Sequence, residues 1–119
     1  MSHAMNFAEL QFVNAKVNLL PYVPEVGDDW TPITEVGGDC DSYATAKFER
    51  LVLMGWPVSA LRFAYCTVET GEAHLVLLAD LDGQTWCLDN RHPHPMEFQL
   101  LPYRWIRLQI AGTQRWEDA

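Results

Sequence analysis

The sequence contains no apolar run long enough to cross a bilayer, and it has little positive charge. Only 8 Lys and Arg stand against 16 Asp and Glu, for a formal charge of -8, and the basic residues form no cluster. A chain so charged is repelled by phosphate backbones, which weighs against nucleic acid as a partner. Nothing resembles a signal peptide, so a cytoplasmic location is the default expectation. Cysteine is scarce: Cys40, Cys66 and Cys87 are odd in number and lack the paired spacing of a zinc site or a disulfide framework. No internal repeat or low-complexity tract is present.

What remains is 119 residues, 49% of them hydrophobic and 20% charged, the size and balance of one globular domain over residues 6–119. Met1 to Met5 reads as a tag remnant and is left out of the fold expectations. Phe7, Leu10, Val13 and Val17 recur at helical spacing, which predicts a helix from Asn6 to Leu19 ended by Pro21 and Pro24. Val23 to Gly38 is an irregular connection carrying Trp30. Asp39 is a good N-cap and Gly55 with Pro57 a good stop, so a second helix is expected over Cys40–Met54, with Ala44, Phe48, Leu51 and Val52 on its packed face. Strands follow at Ala60–Val68, Ala73–Leu81, Gln84–Asp89 and Arg104–Ile110, with Asn90 to Pro102 mostly loop. The fold class is α+β: N-terminal helices, the second starting at Cys40, packed on an antiparallel meander.

The hairpin makes a geometric prediction. A two-residue loop at Asp82-Gly83 pairs Leu81 with Gln84 and Val76 with Asp89. His74 then shares a face with Asp89, one diagonal step away. Leu75, Leu77, Ala79, Leu81, Trp86 and Leu88 form the opposite, apolar face, which supports that register independently. A thiolate is the reactive form of cysteine, and a helix N-terminus with an imidazolium partner favours it. Cys40 is therefore the candidate nucleophile, His74 its base, and Asp89 the group that orients the histidine. Asp39 and Asp41 oppose the thiolate.

The motifs Gly38-Asp39-Cys40-Asp41-Ser42-Tyr43-Ala44 with Lys47, Ala73-His74-Leu75-Val76-Leu77 and Leu88-Asp89-Asn90 resemble the bacterial transglutaminase-like cysteine proteinases. In that family they read approximately Gly-Asp-Cys-Glu-Asp-Tyr-Ala, His-Ala-Val-Leu and Leu-Asp-Asn. An upstream family Asn corresponds to Asn14 or Asn18. The resemblance implies a papain-like or transglutaminase-like fold and a triad of Cys40, His74 and Asp89. It also implies a protein or peptide substrate. Known members include periplasmic proteases that release adhesins and depend on calcium held by acids beside the cysteine. Asp39 and Asp41 match two such positions, while Ser42 replaces the second acid of the motif. A periplasmic location follows from the resemblance alone.

The leading expectation is hydrolysis of a peptide or amide bond through a thioester; an amine acceptor would make the same site a transglutaminase. The short chain and Ser42 motivate a rival reading, a non-catalytic binding or structural module that retains the triad. Several residues carry two readings each. Asp39 is a helix cap or a calcium ligand. His92 and His94 suggest a metal or form an exposed loop. Trp30 lines the cleft or fills the core. Tyr43 and Lys47, a turn apart, stabilise the helix; Cys66 and Cys87 are core thiols; Asn90 orients a loop or starts a turn.

Overall fold

The computed structural model describes residues 4–21 and 40–119. Trp30 and Asp39 lie outside the described residues. The first helix, α1 (Phe7–Asn18), starts where the Asn6 side chain accepts a hydrogen bond from the Glu9 N–H at 3.0 Å. It buries Leu10, Val13, Asn14 and Val17, one stripe at helical spacing that includes a polar member.

The second helix, α2 (Cys40–Leu53), begins at the cysteine. Gly55 closes it with φ +104, a conformation a side chain would resist. The Trp56 N–H then reaches the Leu51 carbonyl and the Gly55 N–H that of Val52, the paired bonds of a Schellman stop. The packed face differs from the expected one. Tyr43, Ala44, Ala46, Lys47 and Leu51 are buried, whereas Val52 is 37% exposed. Apolarity nominated Val52, but helical geometry turns position 47 inward instead.

Among the described residues, six strands form one antiparallel sheet: β1 (Leu61–Thr67), β2 (Ala73–Leu81), β3 (Gln84–Leu88), β4 (Met96–Glu97), β5 (Arg104–Gln109) and β6 (Trp116–Asp118). Their spatial order is β4-β3-β2-β1-β5-β6, so the sheet is not the simple meander expected. After β4 the chain leaves one edge and returns beyond β1, where β5 pairs with it. β4 and β6 went unforeseen because strands of two and three residues carry no readable period. The Asp82-Gly83 loop is as read: both residues have positive φ, 51 and 81, and Leu81 faces Gln84.

Both faces of the sheet are covered, which is why nearly every residue of β2 is buried. On one face Leu75, Leu77, Ala79, Leu81, Phe63 and Leu88 pack against α1 and α2. On the other, Ala64, Cys66, Val76, Leu78 and Cys87 are covered by Leu101 and Tyr103 from the segment that crosses between edges. Among the described residues, no helix is long and apolar enough to cross a membrane.

Candidate active site

The hairpin register brings His74 and Asp89 together. Leu77 pairs with Leu88, and one step further along β3 the carboxylate of Asp89 meets the ring of His74, Nε2 to Oδ1 at 2.6 Å. Asp89 is fully buried and His74 nearly so. Burial pushes the Asp89 carboxyl up, but the His74 hydrogen bond and charge, the Tyr103 hydroxyl and the Arg91 N–H outweigh it and hold it at about 2. Because Nε2 serves Asp89, Nδ1 is the ring nitrogen left for another partner.

The loop after β3 is fastened from three sides. The Arg91 N–H donates to Asp89 Oδ1 at 3.0 Å, an Asx turn that the Asp-Asn pair at the strand end hinted at. From α1, Asn18 Nδ2 donates to the carbonyls of Asp89 at 3.0 Å and His92 at 2.9 Å, and Asn14 Nδ2 to that of His92 at 3.1 Å. Asparagines four apart on one helix face thus both reach the loop after β3. Removing a donor from such carbonyls costs about 1–3 kcal/mol, so Asn18→Ala should lower the urea midpoint accordingly without changing the slope. An unchanged midpoint would show that the loop holds itself. From the crossing segment, Tyr103 donates its hydroxyl proton to Asp89 Oδ2.

Cys40 opens α2, and its side chain is partly exposed. It and His74 line the same cleft, about 280 Å³, together with Val68, Glu72, Ala73, Asn90 and Arg91. The Cys40 thiol donates to Asp41 Oδ1 at 3.6 Å, and Asp41 is buried. A carboxylate there favours the protonated sulfur, as the sequence suggested. Calcium takes six to eight oxygens. Among the described residues, no three His, Cys, Asp or Glu side chains gather to hold a metal, and Asp41 is turned onto the thiol. Asp39, the other acid named for calcium, lies outside the described residues.

Other residues take roles that their spacing hid. Tyr43 and Lys47, expected to stabilise the helix, are both buried. Tyr43 donates its hydroxyl proton to the Leu20 carbonyl at the end of α1. Lys47 is fully buried, and among the described residues its Nζ has no hydrogen-bond partner. Burial draws that amine down to about 7, against the opposing pull of Asp89 and Cys87. Cys66 and Cys87 are core thiols: burial, then the Asp89 charge, pushes Cys66 up to about 12, and burial raises Cys87 well above its ordinary value. His94 is exposed. His92 is not a plain exposed loop residue, since it is half-buried and its Nε2 lies 3.2 Å from the Tyr103 hydroxyl.

A cysteine at a helix start, packed on an antiparallel sheet whose adjacent strands pair a histidine with an aspartate, defines a transglutaminase-like cysteine proteinase architecture. The chain belongs to the bacterial transglutaminase-like cysteine proteinases, whose sequence pattern matches residues 2–119. Its fold is similar to that of LapG from Legionella pneumophila. The calcium-bound LapG structure superposes with a TM-score of 0.81 at 22% identity, covering 94% of this chain and 68% of LapG. A second LapG structure gives 0.74 at 23%, covering 86% and 62%, and the EGTA-treated form gives 0.72 at 23%, covering 94% and 71%. No curated protein matches the sequence.

Proposed function

We propose that this chain is a cysteine hydrolase of peptide or amide bonds, with Cys40 as nucleophile, His74 as general base and acid, and Asp89 as the group that orients the ring. The observation that carries the reading is the buried 2.6 Å contact between His74 Nε2 and Asp89 Oδ1, made by a histidine that shares a cleft with Cys40. With Nε2–H committed to Asp89, Nδ1 takes the thiol proton. The Cys40 sulfur attacks the carbonyl carbon, and His74 returns the proton to the leaving amine. Water, activated by the same nitrogen, then cleaves the thioester and restores the thiol. The backbone N–H of Cys40 stands at a helix start, the position from which an oxyanion is stabilised.

Alkylation of Cys40 against pH tests the pairing, because buried Cys66 and Cys87 stay silent. The wild-type thiol should react well below pH 8 and lose that reactivity in His74→Ala. Identical profiles for the two proteins would sink the triad. A peptide-library digest, abolished in Cys40→Ala, tests hydrolysis, and a fluorescent amine in the same reaction reports transamidation. Repeating the digest with EGTA asks whether the calcium named for one LapG structure bears on this chain. Sensitivity to EGTA would draw Asp41 and groups outside the described residues into a metal site.

A further inference from the structure

We propose that Tyr103 is a positioning residue of the site: its hydroxyl, polarised by Arg91, locks the Asp89 carboxylate in the orientation that serves His74. The inference rests on the triad reading above.

A buried carboxylate has a broad terminal torsion and no staggered well to hold it. Its orientation must come from its donors. Oδ1 of Asp89 accepts from His74 Nε2 at 2.6 Å and from the Arg91 N–H at 3.0 Å, while Oδ2 accepts from the Tyr103 hydroxyl. Without the third donor, Oδ2 is left in a site with no exposure, and the carboxylate gains by turning.

Arg91 decides which way the hydroxyl points. Its NH1 lies 2.9 Å from the Tyr103 oxygen, and a guanidinium can only donate. The tyrosine oxygen must therefore accept, and its single proton is directed to Asp89. His92 Nε2 at 3.2 Å meets the remaining lone pair. Arg91 is itself fixed, by two contacts of 3.2 Å to the Glu69 carboxylate and by lying 5.4 Å from the Tyr103 ring centre. The result is a continuous relay of orientation, Glu69–Arg91–Tyr103–Asp89–His74, anchored in the β1–β2 turn and reaching the cleft. The Tyr103 ring also stands edge-on to that of His74, centres 6.1 Å apart at 84°.

The charged and titratable groups around Asp89 are thus His74 from β2, Arg91 and His92 from the loop, Tyr103 from the crossing segment and Lys47 from α2, with the thiols of Cys66 and Cys87 beyond. Among them Tyr103 is the group that engages Oδ2 by hydrogen bond without competing for the His74 ring.

Iodoacetamide labelling of Cys40 across pH separates positioning from mere support. In Tyr103→Phe the ring and its packing remain, and the carboxylate loses its hold. The labelling inflection should move up by about one pH unit, roughly a tenfold loss of reactivity on the acid limb, with the alkaline plateau retained. Arg91→Met should move it in the same direction by less. A purely structural tyrosine would lower the melting temperature and leave the inflection in place. If the hydroxyl only withdrew charge from Asp89, its loss would make the carboxylate a stronger partner and move the inflection down. An unchanged or lowered inflection in Tyr103→Phe, or in Arg91→Met if the first variant does not fold, overturns the proposal. A wild-type thiol that labels like an ordinary cysteine overturns the triad and the positioning together. Acid-shifted wild-type labelling that neither variant alters overturns the positioning alone.

Discussion

Replacing Asp89 by alanine is expected to cost about 3–5 kcal/mol of stability and to lower kcat by roughly 10²–10⁴-fold. Three donors lose their acceptor at once: the buried His74 Nε2, the buried Tyr103 hydroxyl and the half-buried Arg91 N–H. A domain of this size has on the order of 5–15 kcal/mol in total, so the variant should be marginal at 37 °C. Acid pH should act on the same group. Asp89 titrates at about 2 in the folded chain, below its ordinary 3.8. The unfolded chain therefore takes up the proton first as pH falls. The stability Asp89 contributes, roughly 2–3 kcal/mol from this shift, is complete above pH 4 and is lost as pH falls through 2. Wild type should show that acid decline in urea denaturation between pH 4 and 2, and Asp89→Ala should lack it. Parallel declines in the two proteins would mean that another carboxylate governs acid unfolding.

The parts of the site legible in the sequence were those set by local chemistry. Asp82-Gly83 fixed the hairpin register because both residues adopt positive φ, and that register places Leu75, Leu77, Ala79, Leu81, Trp86 and Leu88 on a common face. His74 and Asp89 followed from that register alone. The helix start at Cys40 was readable from its flanking cap and glycine signals. What could not be read depends on chain paths longer than any local period. Tyr103 sits 14 residues beyond Asp89 and reaches it because the segment before β5 crosses the back of the sheet. Pro102-Tyr103-Arg104 carries no pattern that announces this. The family resemblance nominated one asparagine, Asn14 or Asn18, but not that both reach the loop, because polar residues on an amphipathic helix normally mark the solvent side. Lys47 was hidden by the same assumption, that the packed face of a helix is its apolar one.

Lys47→Met is expected to stabilise the protein, by roughly 4–5 kcal/mol at pH 6, and the gain should vanish toward pH 10. The side chains are similar in volume, so the packing of α2 on β2 is retained. The difference lies in the amine, which is fully buried without a hydrogen-bond partner among the described residues and is drawn down from 10.5 to about 7, chiefly by burial. The unfolded chain binds its proton at 10.5 and the folded chain only near 7. Folding is therefore penalised in full below pH 7, progressively less as pH rises, and not at all above 10.5. Wild-type stability should climb between pH 7 and 10, and the methionine variant should lack that climb. Urea midpoints at pH 6, 8 and 10 give the comparison directly. A variant less stable than wild type at pH 6 would mean that the amine is held as a favourable cation, with Asp89 as its counter-charge. Labelling of Cys40 in the same variant then distinguishes two roles for so costly a residue two turns along α2 from that thiol. An altered inflection ties Lys47 to the charge of Asp89 and through it to His74, whereas an unaltered one confines its effect to folding.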